Sequence, residues 1–291
     1  MWRFALREGG RFALGLFGAL LMAAAISALS AQGAGSGAYL SAAAGRLLDF
    51  VRLDFGASAI SGLGAAQELA ARAPVTLTLV FLGAVIAILF GLPLGLLFGP
   101  MRRAAAPLVQ IVSAVPVFVA GLALAFAAQH LFGWPPIDGE FPTVGALLHP
   151  DADVLRVALL PSLTVGLAGM AAIQVALRRA AAGVQNEPFR TGLRRLGLSV
   201  MEIDRVYVAP LVFSGLLAGL GEVMLALLSA AVVAEWVFKT PGAADLFVRS
   251  VALHDWNVVA LILFFFAGAA LAANFAGQLG ARAMTLAGRE T

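Results

Sequence analysis

The 291-residue chain has no cysteine, one lysine (Lys239) and only 12% charged residues. Without cysteine there can be no disulfide, no thiolate metal site and no cysteine nucleophile. A phosphate-binding loop needs lysine within a Gly-Lys-Ser/Thr run. Lys239 instead follows Phe238, so this chain is not expected to hydrolyse a nucleotide, and catalysis in it is not expected. The net charge is only +3, and no clustered basic face on a soluble fold, such as nucleic acid would require, is evident. No nucleic-acid partner is expected. The three histidines, His130, His149 and His254, do not cluster and support no metal site.

What the chain has in excess is apolar sequence. Soluble domains are roughly 45–50% apolar and about 25% charged. Here 61% of residues are hydrophobic and the mean hydropathy is +0.95, as in an integral membrane protein. A helix crossing the hydrocarbon core needs about 20 apolar residues. Six runs qualify: 12–31, 75–98, 108–132, 155–177, 207–237 and 258–281. An all-α membrane protein is predicted, one transmembrane domain over 1–291 with both termini on one side. The run 207–237 is too long for one perpendicular crossing and is expected to begin as an interfacial helix. Residues 32–74 are expected to lie along the outer interface, since their apolar residues recur at helical spacing.

Arginine placement sets the orientation. With the N-terminus inside, the cytoplasmic pieces hold thirteen basic residues and the outer pieces six, which predicts N-in and C-in. Arg3, Arg7 and Arg11, the apolar run and "SALSA" at 27–31 also outline a cleavable signal peptide. The apolar run exceeds the usual 7–15 residues, so the segment is read as a retained span.

The internal loop 178–206 concentrates charge. Asn186 is a good N-cap and Pro188 suits a first helical turn. Phe189, Leu193 and Leu196 then fall at i, i+4 and i+7, one apolar stripe flanked by Arg190, Arg194 and Arg195. Gly197 suits a helix stop, and Ser199 with Glu202 spells a capping box that starts the next helix. This pattern fits a helix on anionic lipid and fits a docking helix for a cytoplasmic protein equally well.

The spacing Glu187…Gly197…Pro210 resembles the EAA loop of ABC-importer permeases, in which an acid precedes a central glycine and a proline follows thirteen residues later. More specifically, the chain resembles permeases of the oligopeptide/dipeptide/nickel importer family. "DFGAS" (54–58) with Glu68, Arg72, Pro74, Thr76 and Leu77, then "VPVFVAG" (115–121), "LLPSLTVGL" (159–167), "VVAEWVFKTPGAADLF" (232–247) and "HDWNVV" (254–259), follow the family's order. The sequence departs from the pattern at Pro188, Leu193, Arg195, Tyr207 and Ala209. The resemblance implies a permease of the bacterial inner membrane that moves peptides or a related small solute. It further implies a second permease, an external substrate-binding protein and two cytoplasmic ATPase subunits, which would hold the ATP and magnesium and grip the loop through Glu187, Phe189, Arg190, Leu193, Arg194, Leu196, Gly197 and Pro210. No cofactor is expected in this chain itself.

Two carboxylates stand within apolar runs. Glu222 is read either as lining the pathway or as a buried acid hydrogen-bonded to a neighbouring helix. Glu235 is part of the family signature, at an outer gate or binding-protein dock, or else forms an interfacial ion pair with Lys239. The rival function is a secondary transporter or channel driven by an ion gradient, with Glu222 as its coupling carboxylate.

Overall fold

In the computed structural model the described residues are 2–31, 36–95, 107, 110, 111, 114–133, 152–185 and 188–290, and among them the regular structure is entirely helical. Charge does not delay the first helix. α1 (Trp2–Ser27) starts ten residues before the apolar run, because Glu8 accepts from Arg11 at 2.8 Å and lies 3.5 Å from Arg7. The segment after the first helix holds α2 (Ser36–Val51), pinned to α1 by the Tyr39 hydroxyl, which donates to the Ala25 carbonyl at 2.8 Å.

α3 runs Ala65–Gly95, taking Glu68, Arg72 and Pro74 into its first turns. It widens to a π-helix at Ala87–Gly91. The Gly91 carbonyl there accepts from the buried Gln174 side chain at 2.6 Å, so an isolated polar residue of the sequence becomes an interhelical bond. α4 (Val117–Phe132) starts at Pro116 and ends on left-handed Gly133. Most of 108–113, the end of the expected second span at Phe98 and the acidic 134–151 loop lie outside the described residues. α5 runs Ala152–Gln185.

After α5 come α6 (Pro188–Arg195), α7 (200–218, with a π-helix at Ile203–Val208) and α8 (Leu220–Phe238). The expected 207–237 span is therefore two helices, broken at Gly219. The break frees the Ala218 carbonyl, which accepts from the Gln278 side chain at 3.1 Å. The chain closes with α9 (Ala243–Ala252) and α10 (Trp256–Glu290).

Among the described residues five helices are long and apolar enough to cross a membrane: Phe4–Ser27, Ala65–Gly95, Val157–Val184, Leu220–Phe238 and Trp256–Thr285. The described part of a sixth, Val117–Leu131, is shorter. Contacts between them give the directions. Gly83 meets Val165 and Gly91 meets Met170, so α3 and α5 run parallel. Gly169 meets Leu227, while Gly219 lies against Ala176, so α7–α8 runs antiparallel to α5. Gly221 meets Asn274 and Ser214 meets Ala281, so α10 also opposes α7–α8.

α5 is central, with 56% of its most apolar stretch buried, whereas α1 is peripheral with 11%. α1 leans on α10 through Phe12 and Phe275, whose ring centroids are 5.4 Å apart. Arg282 lies 5.5 Å from the Phe4 ring, which places the described N- and C-terminal ends at one end of the bundle.

Candidate functional site

At the arginine-bearing end, the chain between α5 and α7 folds into a knuckle. Gly197 adopts φ +88°. Its N–H donates to the Arg194 carbonyl at 3.0 Å, and the Leu198 N–H donates to the Leu193 carbonyl at 3.3 Å. These two bonds are the Schellman closure of a helix on a left-handed residue. α7 then starts on a complete capping box: the Glu202 N–H donates to Ser199 Oγ at 3.2 Å, and the Ser199 N–H and hydroxyl donate to the Glu202 carboxylate at 2.8 and 2.7 Å. Those two bonds hold the Glu202 carboxyl below its ordinary value of 4.5.

The expected stripe divides. Phe189 and Leu193 are half-buried and, with Leu198, pack on the core that includes Ile203 and Val208. Leu196, beyond the last helical residue, turns away and is 77% exposed. Arg190 is no free flank: it pairs with Asp204 at 2.6 Å, both side chains largely buried. That bond locks α6 onto the π-helix. Arg194, Arg195 and Arg205 remain exposed. Pro210 is exposed in the first turn after the π-helix, where its missing N–H follows a stretch already out of α register. Glu187 and Asn186 lie outside the described residues. Nothing in the periodicity pointed to Asp204 or Leu198.

At the opposite end, Glu235 is fully buried. Its Oε1 accepts from the Thr76 hydroxyl at 2.6 Å and its Oε2 from the Asp245 N–H at 2.7 Å. Thr76 Oγ1 in turn accepts from the Ala243 N–H at 2.7 Å. Two side chains from α3 and α8 thus satisfy the open N–H groups that begin α9, and a carboxylate at a helix N-terminus is favoured by the macrodipole. The alternative of a Glu235–Lys239 ion pair is not realised: Glu235 is taken up by Thr76 and the Asp245 N–H. α8 ends with Lys239 in the left-handed region, φ +55°, and its ammonium lies 5.3 Å from the Trp236 ring. Asp245 pairs instead with Arg249 at 2.8 Å and lies 4.0 Å from Arg72.

Glu222 is not a buried acid. It forms an ion pair with Arg179 across α8 and α5, with the two side chains 64% and 65% exposed. The structure therefore keeps three features apart: the knuckle and the Arg179–Glu222 pair toward one end, and the Glu235 cap at the other. Among the described residues no three carboxylates or imidazoles are grouped as metal ligands.

A family model described as binding-protein-dependent transport system inner membrane component matches residues 83–285. That stretch includes the knuckle, Glu222 and Glu235. The chain is 30% identical over 215 residues to the glutathione transport system permease protein GsiC of Escherichia coli K12, covering 72% of this chain and 66% of that one. It is 25% identical over 230 residues to the peptide transport system permease protein SapB of Salmonella typhimurium (71% and 72%). It is also 24% identical over 233 residues to the putrescine export system permease protein SapB of Escherichia coli K12 (72% and 73%). With most of its length matched and its helices long and apolar, the chain is a multi-pass permease that belongs to the family of binding-protein-dependent transport system inner membrane components.

Proposed function

We propose that the chain is one of two permease subunits of an ABC importer for peptides or a related small solute. An external binding protein delivers the solute, and two ATPase subunits at the knuckle end hold ATP and magnesium. The relatives named for peptide and glutathione transport support a peptide-like substrate. The thirteen-to-six bias of basic residues supports placing the knuckle and both termini in the cytoplasm.

One observation carries the coupling role: the knuckle divides its side chains between two partners. Phe189, Leu193, Leu198 and the Arg190–Asp204 pair fasten it to its own bundle. Leu196 and Met201, 77% and 67% exposed, stand with Arg194, Arg195 and Arg205 on the outside. The ATPase grips this outer surface, so the expected grip on Phe189 and Leu193 becomes an indirect one. Closure of the ATPases around ATP shifts the knuckle. The shift travels along α7, which is wedged by Gly215 against Ala180 and bonded by Ser214 to the Ala281 carbonyl at 3.2 Å. It reaches α8 through the break at Gly219. Such coupling requires two bundle states that the ATPases contact differently.

Vesicles holding the permeases, ATPases and binding protein test this reading. Leu196→Asp with Met201→Asp should detach the ATPases and leave the permease folded. Phe189→Asp, or Gly197→Val at a left-handed position costing about 1–2 kcal/mol, should keep the ATPases bound but uncouple hydrolysis from uptake. Normal transport by all of these variants would defeat the docking role. Uptake under a pH gradient without ATP would favour the rival with Glu222 as proton carrier, a reading its pairing with Arg179 does not support. Mass spectrometry of the ligand co-purifying with the binding protein would identify the substrate.

A further inference from the structure

The coupling role leaves one charged contact unexplained. Arg179 of α5 and Glu222 of α8 pair with each other, yet their side chains stay 65% and 64% exposed. Side chains tilt toward the N-terminus of their own helix. Because α5 and α8 run antiparallel, Arg179 leans toward the Glu235 end and Glu222 leans back to meet it.

The pair lies at membrane depth. Trp236 is an aromatic of the kind found at a membrane boundary, and one crossing of about 20 residues counted from it reaches Leu217. Glu222 therefore stands roughly 7 Å inside the other boundary. Gly221 meets Asn274 and Gly15 meets Leu271, which puts Leu14 of α1 at the same depth. There α1 exposes Leu14 and Phe17, as suits lipid. On α8, by contrast, Glu222, Leu225, Ser229 and Trp236 are exposed on one face, within about 60° of one another. Charged side chains inside a span face protein or a water-filled cavity, because hydrocarbon cannot solvate them. This strip opens on α5, the most covered of the five spans.

We propose that this face lines the passage between the two permeases and that the Arg179–Glu222 pair is its contact for a zwitterionic solute. The proposal rests on the reading of the chain as one of two permeases. A solute ammonium replaces Arg179 on Glu222, while the solute carboxylate takes the guanidinium. Without solute the two charges neutralise each other, so the passage carries no net charge there and holds its cargo weakly enough to release it.

The test assembles the importer in lipid nanodiscs, which leave both faces accessible. Cysteines placed in this cysteine-free chain are modified with charged methanethiosulfonates and followed by the mass of the chain. Glu222→Cys should react about tenfold faster than Leu14→Cys, since a thiol in hydrocarbon does not ionise. Relative to free cysteine it should favour the anionic reagent about fivefold, the weight of one unpaired charge nearby. Adding Arg179→Gln should remove that preference. Leu225→Cys keeps the pair and lies one turn away. Millimolar trialanine should slow its modification about twofold, half occupancy at millimolar affinity, and N-acetyl-trialanine amide should not. With Arg179→Gln and Glu222→Gln added, the protection should vanish; a pair that only braces α5 on α8 would give no protection to lose. Equal modification of Leu14→Cys and Glu222→Cys, a sealed Glu222→Cys, or equal protection by the blocked peptide would overturn the contact. No step of the labelling uses ATP, so a sealed Glu222→Cys in an importer that still transports under ATP defeats the contact alone, whereas a wild-type importer without ATP-driven uptake defeats the reading beneath it.

Discussion

Gly242 and Glu235 show how a single position can be fixed by chemistry far away in the chain. A Cβ on Gly242 would stand 2.5 Å from Glu235 Oε2, inside a carboxylate that Thr76 and the α9 amides hold on both oxygens. Neither group can retreat without breaking a buried hydrogen bond. Gly242→Ala should therefore destabilise the folded chain by about 1–3 kcal/mol, as overpacking does. Glu235→Ala should cost more, about 2–6 kcal/mol at about 1–3 for each buried group left unsatisfied, because the Asp245 N–H and the Thr76 hydroxyl lose their acceptor. Glu235→Gln keeps one acceptor oxygen for the amide and should lie between wild type and Glu235→Ala. Melting curves in one detergent give the order; equal stability of all three variants would mean that Glu235 does not hold α9. The sequence marks Glu235 and the Pro-Gly step after it, yet Thr76 lies 159 residues away. No local pattern could pair them. Lys239, four residues on, is the partner that spacing alone can offer, and the helix end turns it toward Trp236 instead.

At the scale of one element, the knuckle was the most readable part of the chain and also where periodicity misled. Caps are local, so Ser199, Glu202 and Gly197 could be assigned from spacing alone, and all three act as caps in the structure. The stripe assumed that the helix continues through Leu196. The left-handed turn at Gly197 ends it first and sends Leu196 outward, and Leu198 takes the inner position. Ser199→Ala removes the acceptor for the Glu202 N–H and should speed amide exchange at Val200–Glu202 about fivefold, the usual weight of one cap. The pH dependence follows from the depressed Glu202 carboxyl. A lowered folded value means the contribution is complete above the ordinary 4.5 and is lost as pH falls through the lower folded value. Protection of these amides should stay flat from neutral pH down to that range and drop below it. A drop already near neutrality would show that Glu202 is not the group holding the cap.

Across the whole molecule, hydropathy located the crossings but not their joints. The break at Gly219, the π-helix at Ala87–Gly91 and the early start of α1 each depend on a distant or short-range polar partner: Gln278, Gln174 and Glu8. A sliding average registers such side chains only as interruptions. What composition and contacts do yield together is a sharp test of orientation. Both described ends share one end of the bundle with α7, which the knuckle starts, through Phe4 with Arg282 and Ser214 with the Ala281 carbonyl, so one side of the membrane must hold all three. Because the chain has no cysteine, single replacements report without background. Arg195→Cys and Thr285→Cys should be modified by a membrane-impermeant thiol reagent only after the cells are opened, and Leu63→Cys in intact spheroplasts. The reverse pattern would turn the molecule over and remove the knuckle from any cytoplasmic ATPase. Labelling of Arg195→Cys and Leu63→Cys from the same side would contradict the bundle itself, since α3 carries the chain across between Leu63 and the turns that lead to the knuckle.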